Sequence, residues 1–191
     1  MKEYSREYPL FSLCGLNCGL CPNFEENTSA EAAFKCPGCG GAAFYQKHPT
    51  CAIVSCALRH GGVQYCNLCN EYPCARYNTR EPYDSFITYR HVRQDFAKAK
   101  GAGFAAYKVD LEEKMRLLQT LLQNYNDGRR KSFFCTAVNL LQPEELKTVL
   151  KELAQQTKPE STLKEKATFA TSLLNQAGEK SGVDLKLRKK K

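Results

Sequence analysis

A chain of 191 residues, 42% hydrophobic and 25% charged, has ordinary globular composition, which excludes wholesale disorder and predicts one domain, or a small one fused to a helical one. No apolar run approaches the roughly 18–20 residues of a membrane helix, and residues 1–9 alternate charge with tyrosine where an export signal carries an apolar stretch. A soluble cytoplasmic protein without membrane contact is expected. The formal charge of +8 is uneven: residues 1–80 carry 7 Lys+Arg against 6 Asp+Glu, which leaves +7 for residues 81–191.

Eleven cysteines demand a role, and ten of them lie between Cys14 and Cys74. An odd count, the lack of an export signal and short spacings argue for metal rather than disulfides. In chain order they fall as Cys14, Cys18 and Cys21; Cys36 and Cys39; Cys51 and Cys56; Cys66 and Cys69; and Cys74. Three pairs are CxxC, a spacing at which two thiolates turn toward one ion while the amides of the turn donate to the sulfurs. Cys18, Cys21, Cys36 and Cys39 make one quartet. Between its halves Thr28 and Glu31 match a capping box, so a short helix is expected over residues 30–34.

The run from Cys51 through Cys56 to His60 predicts a short helix closed by Gly61. Cysteines five apart on a helix point about 140° apart, so Cys51 and Cys56 do not share an ion. Cys56, Cys66, Cys69 and Cys74 therefore form the second quartet, with Cys14 and Cys51 as extra or substitute ligands of the first. A cross-braced pairing fits the same spacings. His48 and His60 lie among the cysteines as bystanders, and His91 is expected on a helix surface.

Beyond Cys74 the pattern is helical, without strands or an internal repeat. A helix is expected over residues 85–98, with a break at 101–103. Asp110 and Glu113 match an acidic capping box, and Leu111, Met115, Leu118, Leu122 and Tyr125 form an amphipathic stripe that turns out near Gly128. Pro143 with Glu144 and Glu145 opens the next helix, carrying Leu146, Val149, Leu150 and Leu153 on one face. A third stripe, Leu163, Ala167, Ala170 and Leu174, ends at Gly178. The predicted fold class is mainly α, with a cysteine-rich, metal-stabilised module of zinc-knuckle-like turns and short helices over residues 1–80. A helical domain follows over 81–180, then a basic, disordered tail over 181–191.

Arg129, Arg130 and Lys131 follow an Asp-Gly turn where a helix start is expected, which makes them a candidate weak anion site. Cys135, in an apolar run, is expected to be packing; exposed beside those cations it would be a reactive thiolate. The tail from Lys186 to Lys191 suits phosphate contacts, but two ions each held by four thiolates lower the net charge from +8 to +4 and weaken a nucleic-acid reading. An unknown protein partner is the alternative.

Zinc, as two ions, is the expected cofactor, since closed four-thiolate sites are its commonest structural use. Iron is the rival. Cys14, Cys18 and Cys21 have the CxxxCxxC spacing of radical S-adenosylmethionine enzymes, though Leu20 stands where those carry an aromatic. Cys18-x-x-Cys21-Pro22 echoes ferredoxin cluster motifs. The segments Cys14-Gly-Leu-Asn-Cys18-Gly-Leu-Cys21-Pro22, Cys36-Pro-Gly-Cys39, Cys51 to Ala57, and Cys66 to Cys74 together resemble DUF3795, a cysteine-rich bacterial and archaeal family of unknown function. That resemblance implies a prokaryotic protein with metal binding and supplies no catalytic residues. No Ser-His-Asp order, phosphate loop or HExxH helix marks an enzyme. The sequence thus predicts a structural-zinc binding or adaptor module, against an iron-sulfur or thiol redox protein.

Overall fold

The computed structural model describes residues 4–47, 51–78 and 83–190, and within these the chain forms eight α-helices, short 3-10 turns and no sheet. Helices α1 (Phe44–Lys47), α2 (Ala52–Arg59) and α3 (Ala75–Asn78) are short and belong to the cysteine-rich half. The other half holds α4 (Val92–Gly101), α5 (Phe104–Tyr125), α6 (Lys131–Leu140), α7 (Pro143–Gln156) and α8 (Leu163–Lys180). No described helix is long and apolar enough to cross a membrane.

Helix α5 is the axis, because Tyr107, Leu111, Lys114, Leu118, Leu121 and Tyr125 recur at steps of three and four and bury one continuous face. Around it pack α4, α6, α7 and α8. The outer helices start where capping chemistry predicts. Gln142 and Glu145 close a reciprocal capping box at Pro143, and Thr162 with Glu165 does the same for α8.

Several boundaries differ from expectation for identifiable reasons. Helix α5 starts at Phe104 rather than near Asp110, after Gly103 at φ +89°. The Phe104 ring packs against Phe11 and Tyr65, and Glu113 is drawn into an ion pair with Lys147 at 2.7 Å instead of capping. Helix α4 starts at Val92 rather than Ser85, because the Asp84 carboxylate accepts the Tyr89 amide at 3.1 Å and holds the intervening segment as a loop. His91 then lies at the start of α4, 4% exposed and 3.7 Å from Asp95, not on a surface.

No helix forms over residues 30–34, since the Thr28 hydroxyl donates back to the Glu25 carbonyl at 2.8 Å instead of capping forward. The basic end is fastened rather than free. Leu185 is buried, and Arg188 donates to Asp84 from both its guanidinium (2.8 Å) and its amide (2.9 Å). Gly178, two residues inside the end of α8, permits this return: a Cβ there would meet the Val183 carbonyl oxygen at 2.7 Å.

One core serves both halves. Phe11, Leu20 and Tyr77 from the cysteine-rich part join Val92, Phe96, Leu111, Leu118, Leu121, Phe134 and Leu174 in a single buried cluster. The break in composition near residue 80 is therefore not a break in packing.

Candidate metal centre

The centre is built on a tight turn. The Ser12 amide donates to the Leu16 carbonyl and the Leu16 amide to the Ser12 hydroxyl, each at 2.8 Å, with Gly15 at φ +86°. A side chain at Gly15 would collide with Val92 and Phe96 at 2.8 Å, so the turn lies flat on α4 and carries Cys14 at its tip.

Next comes a 3-10 turn over Cys18–Leu20, and 48 residues later a second over Cys66–Leu68. The two are conformational copies. In each, the second cysteine, Cys21 or Cys69, has φ −77° and ψ 137° and donates its amide to the carbonyl of the first, at 3.0 and 3.1 Å. An aromatic amide three residues on, from Phe24 or Tyr72, then donates to that second cysteine's carbonyl at 3.0 Å. The chain thus contains a local repeat, Cys18–Phe24 and Cys66–Tyr72, too short and too divergent to stand out in the sequence beyond Cys-x-Leu-Cys.

Cys36 and Cys39 are brought to the first copy by backbone pairing. The Cys36 amide donates to the Asn23 carbonyl at 2.8 Å and the Cys39 amide to the Pro9 carbonyl at 2.9 Å. One sulfur of this set receives an amide directly, with Asn23 donating to Cys21 at 3.4 Å, and backbone amides near Cys18, Cys36 and Cys39 act in the same direction on those thiols. Such donors stabilise thiolate over thiol. Burial works the other way, pushing Cys18 well above the ordinary thiol value and Cys21 and Cys39 to about 11. Without a counter-cation these groups are therefore neutral thiols.

In the second set, Cys56, Cys66, Cys69 and Cys74 line one cavity together with His60 and Glu71. His60 Nδ1 lies 2.9 Å from the Cys56 carbonyl oxygen and 3.7 Å from its sulfur, while Nε2 meets Glu71 at 3.1 Å. Cys51 precedes α2 with an extended backbone and is not among the residues lining that cavity, so the helical-wheel angle does not apply to it. His48 lies outside the described residues. All eleven cysteines are free thiols, and among the described residues no three His, Cys, Asp or Glu side chains are placed closely enough to share an ion.

No sequence pattern signals what seats the first copy on the helices. Asn17, beside Cys18 and 1% exposed, donates to Asp95 of α4 at 2.9 Å and to Asn139 of α6 at 3.2 Å, and accepts from Tyr107 of α5 at 2.8 Å. Lys114 completes this buried network through the Asn139 carbonyl at 3.2 Å, and burial lowers its ammonium to about 8. Polar residues on otherwise apolar helix faces mark such a network only once the fold is known.

The basic cluster is largely engaged within the chain. Asp127 pairs with Arg130 and accepts the Arg129 amide at 3.1 Å, and Arg130 also donates to Thr168 at 3.0 Å. Lys131 begins α6. Cys135 is buried, and desolvation pushes its thiol up to about 12, the opposite of a reactive thiolate.

The knuckle pair and the Cys36/Cys39 turn fall within one known domain. Residues 10–79 match the family described as protein of unknown function, DUF3795. The match agrees with the resemblance carried by the cysteine spacing and ends at the composition break, so the matched segment holds ten of the eleven cysteines and helices α4 to α8 lie beyond it. No curated protein and no solved structure matches the chain.

Proposed function

We propose that the DUF3795 segment is a zinc-binding module holding two ions, one on Cys18, Cys21, Cys36 and Cys39 and the other on Cys56, Cys66, Cys69 and Cys74, in a cytoplasmic protein with a binding or adaptor role. The observation that carries this reading is the backbone pairing that brings the Cys36/Cys39 turn to the first knuckle, with the Cys36 amide on the Asn23 carbonyl at 2.8 Å and the Asn23 amide on the Cys21 sulfur at 3.4 Å. An amide donor stabilises a thiolate, and thiolates gathered in one partly buried place need a cation to offset their charge. The shared cavity of the second four cysteines supports the same chemistry, as does the absence of a disulfide among all eleven. A tetrahedral thiolate site would fix each knuckle's sulfurs and contribute folding energy directly. The binding role is supported by Leu58 and Leu68, two large apolar side chains left half or more exposed in the second copy's half of the module.

Metal analysis of protein purified without oxygen tests the reading. Two equivalents of zinc and no visible absorption are expected. Stoichiometric iron with a visible chromophore would replace zinc by an iron-sulfur cluster, and disulfides between these cysteines in freshly prepared protein would remove metal altogether.

A further inference from the structure

The buried face of α5 carries Tyr107, Leu111, Lys114, Leu118, Leu121 and Tyr125, and Lys114 is its one charged member. Lys114 is 8% exposed, and its ammonium has three N–H groups to satisfy. The Asn139 carbonyl accepts one of them at 3.2 Å. Among the described residues the Lys114 Nζ makes no other hydrogen bond and no ion pair. The Asp95 carboxylate, which lines the same cleft, is taken by the Asn17 amide at 2.9 Å and faced by His91 at 3.7 Å. A buried cation so short of partners costs stability that leucine at the same place would not, so packing gives no reason for it.

Lys114 lines a cleft between α4, α5 and the start of α7, together with Asp95 and Lys98, Tyr107 and Asp110, and Pro143. Lys98 and Asp110 are exposed, so the cleft reaches solvent. Its interior measures about 20 Å³, room for one or two water-sized groups. Two lysines and two aspartates balance, which leaves no excess charge to hold an ion and suits a small neutral molecule. Burial is the largest influence on the Lys114 ammonium and, with Lys98, holds it at about 8 against the opposing pull of Asp95, Asp110 and Glu145. A desolvated lysine of this kind is a nucleophile toward carbonyl carbon.

We propose that this cleft is a carbonyl-binding site, in which the Lys114 amine condenses with a one- or two-carbon aldehyde to form a Schiff base. The ammonium first releases a proton, and the nitrogen lone pair then adds to the carbonyl carbon. The released proton and one from the amine leave with the carbonyl oxygen as water, and no electrons are transferred. The nitrogen keeps its third proton in a protonated imine, which can still donate to the Asn139 carbonyl. The proposal does not depend on the metal-binding reading.

The test is reductive trapping on the full chain at pH 8, with limiting acetaldehyde and cyanoborohydride, read by peptide mass mapping. About half of Lys114 is then neutral, against roughly a hundredth or less of an exposed lysine with an ordinary value of about 10.4. Ethylation of Lys114 is expected to run about tenfold or more faster than that of the exposed Lys100 and Lys164. Benzaldehyde, whose ring exceeds the interior, is expected to leave Lys114 unmodified while still reaching Lys100. Both differences should vanish in denaturant.

Equal rates at Lys114 and Lys100 in the native protein, or no modification of Lys114, would overturn the proposal. Equally fast modification of Lys114 by both aldehydes would overturn it too, by placing the reaction in an opened chain rather than in the cleft.

Discussion

The two Cys-x-Leu-Cys knuckles share one backbone and live in opposite environments. Leu20 of the first is fully buried beneath α5 and α6, whereas Leu68 at the same position of the second is 61% exposed. Gly19 of the first meets Met115, and the equivalent residue of the second is Asn67. Identical local hydrogen bonds with different surroundings show that the knuckle's conformation is set by its own few residues. What differs is which neighbour it docks on, and that is decided by the residues between the cysteines. The first copy is a structural joint between the two halves, whereas the second rests on the core by its flanking Tyr65 and Tyr72 and turns Leu68 outward.

Metal removal should break this comparison most strongly. If zinc holds both knuckles, chelation takes away about 10 kcal/mol or more of apparent binding energy per site, and the second copy buries no residue of its own 3-10 turn, where the first buries Gly19 and Leu20. Amide exchange is expected to accelerate far more over residues 62–78 than over 10–24, where Phe11, Leu20 and Asn17 remain tied to the helices. Because the core is shared, the thermal midpoint of the helical signal should fall too. Equal acceleration in both segments would show that burial of Leu20 gives the first copy no independent support.

Side-chain truncation sharpens the same contrast without touching metal. Leu20→Ala removes a fully buried side chain between α5 and α6 and is expected to cost roughly 2–5 kcal/mol in denaturant unfolding. Leu68→Ala should stay within about 0.5 kcal/mol, as for exposed positions generally. Comparable losses at both sites would mean that Leu68 is covered in solution.

The loop that leads into α4 is held by the Asp84–Arg188 clasp. Burial by itself raises the Asp84 carboxyl, but the Arg188 guanidinium and amide and the Tyr89 amide outweigh it and hold the group at about 2. A carboxyl lowered on folding contributes stability that is fully present above its unfolded value near 4 and is lost as pH falls toward 2. Arg188→Ala is expected to cost about 1–3 kcal/mol at neutral pH, by leaving the Asp84 oxygens without their strongest donors. It should also flatten the pH dependence of stability between about 4 and 2. An unchanged acid profile in this variant would place the acid-labile group elsewhere.

How much of this was legible in the sequence follows from the range of the forces involved. The knuckle spacings, the α2 helix with its glycine exit, the helix opened by Pro143 and most of the three amphipathic stripes depend on residues a few positions apart, and the structure contains them, although Lys114 and Leu121 are buried where Met115 and Leu122 are half-buried, and Leu163 is exposed. The early start of α5, the burial of His91 and the fastened C-terminal segment depend on partners far along the chain: Phe11 and Tyr65 for Phe104, Asn17 for Asp95, and Asp84 for Arg188. No periodicity encodes such pairings. The family match likewise covers the locally patterned part, residues 10–79, and not the helices that bury its first knuckle.

The smallest expected effect isolates the position between the cysteines. A Cβ added at Gly19 would lie 2.4 Å from the Met115 sulfur, so Gly19→Ala forces that side chain aside. Gly19 has an ordinary backbone conformation, and the collision alone carries the cost. Methionine yields readily, which keeps the expected loss near 1 kcal/mol, at the low end for overpacking. At the equivalent position Asn67→Ala should be neutral or slightly stabilising, because the Asn67 side-chain oxygen is buried without a hydrogen-bond partner and its removal leaves nothing unpaired. Combining Gly19→Ala with Met115→Ala should recover about 0.5–1 kcal/mol relative to the sum of the single changes, the sign of a direct steric coupling. If the two changes simply add, Met115 does not press on the first knuckle, and the difference between the copies must be sought in Leu20 alone.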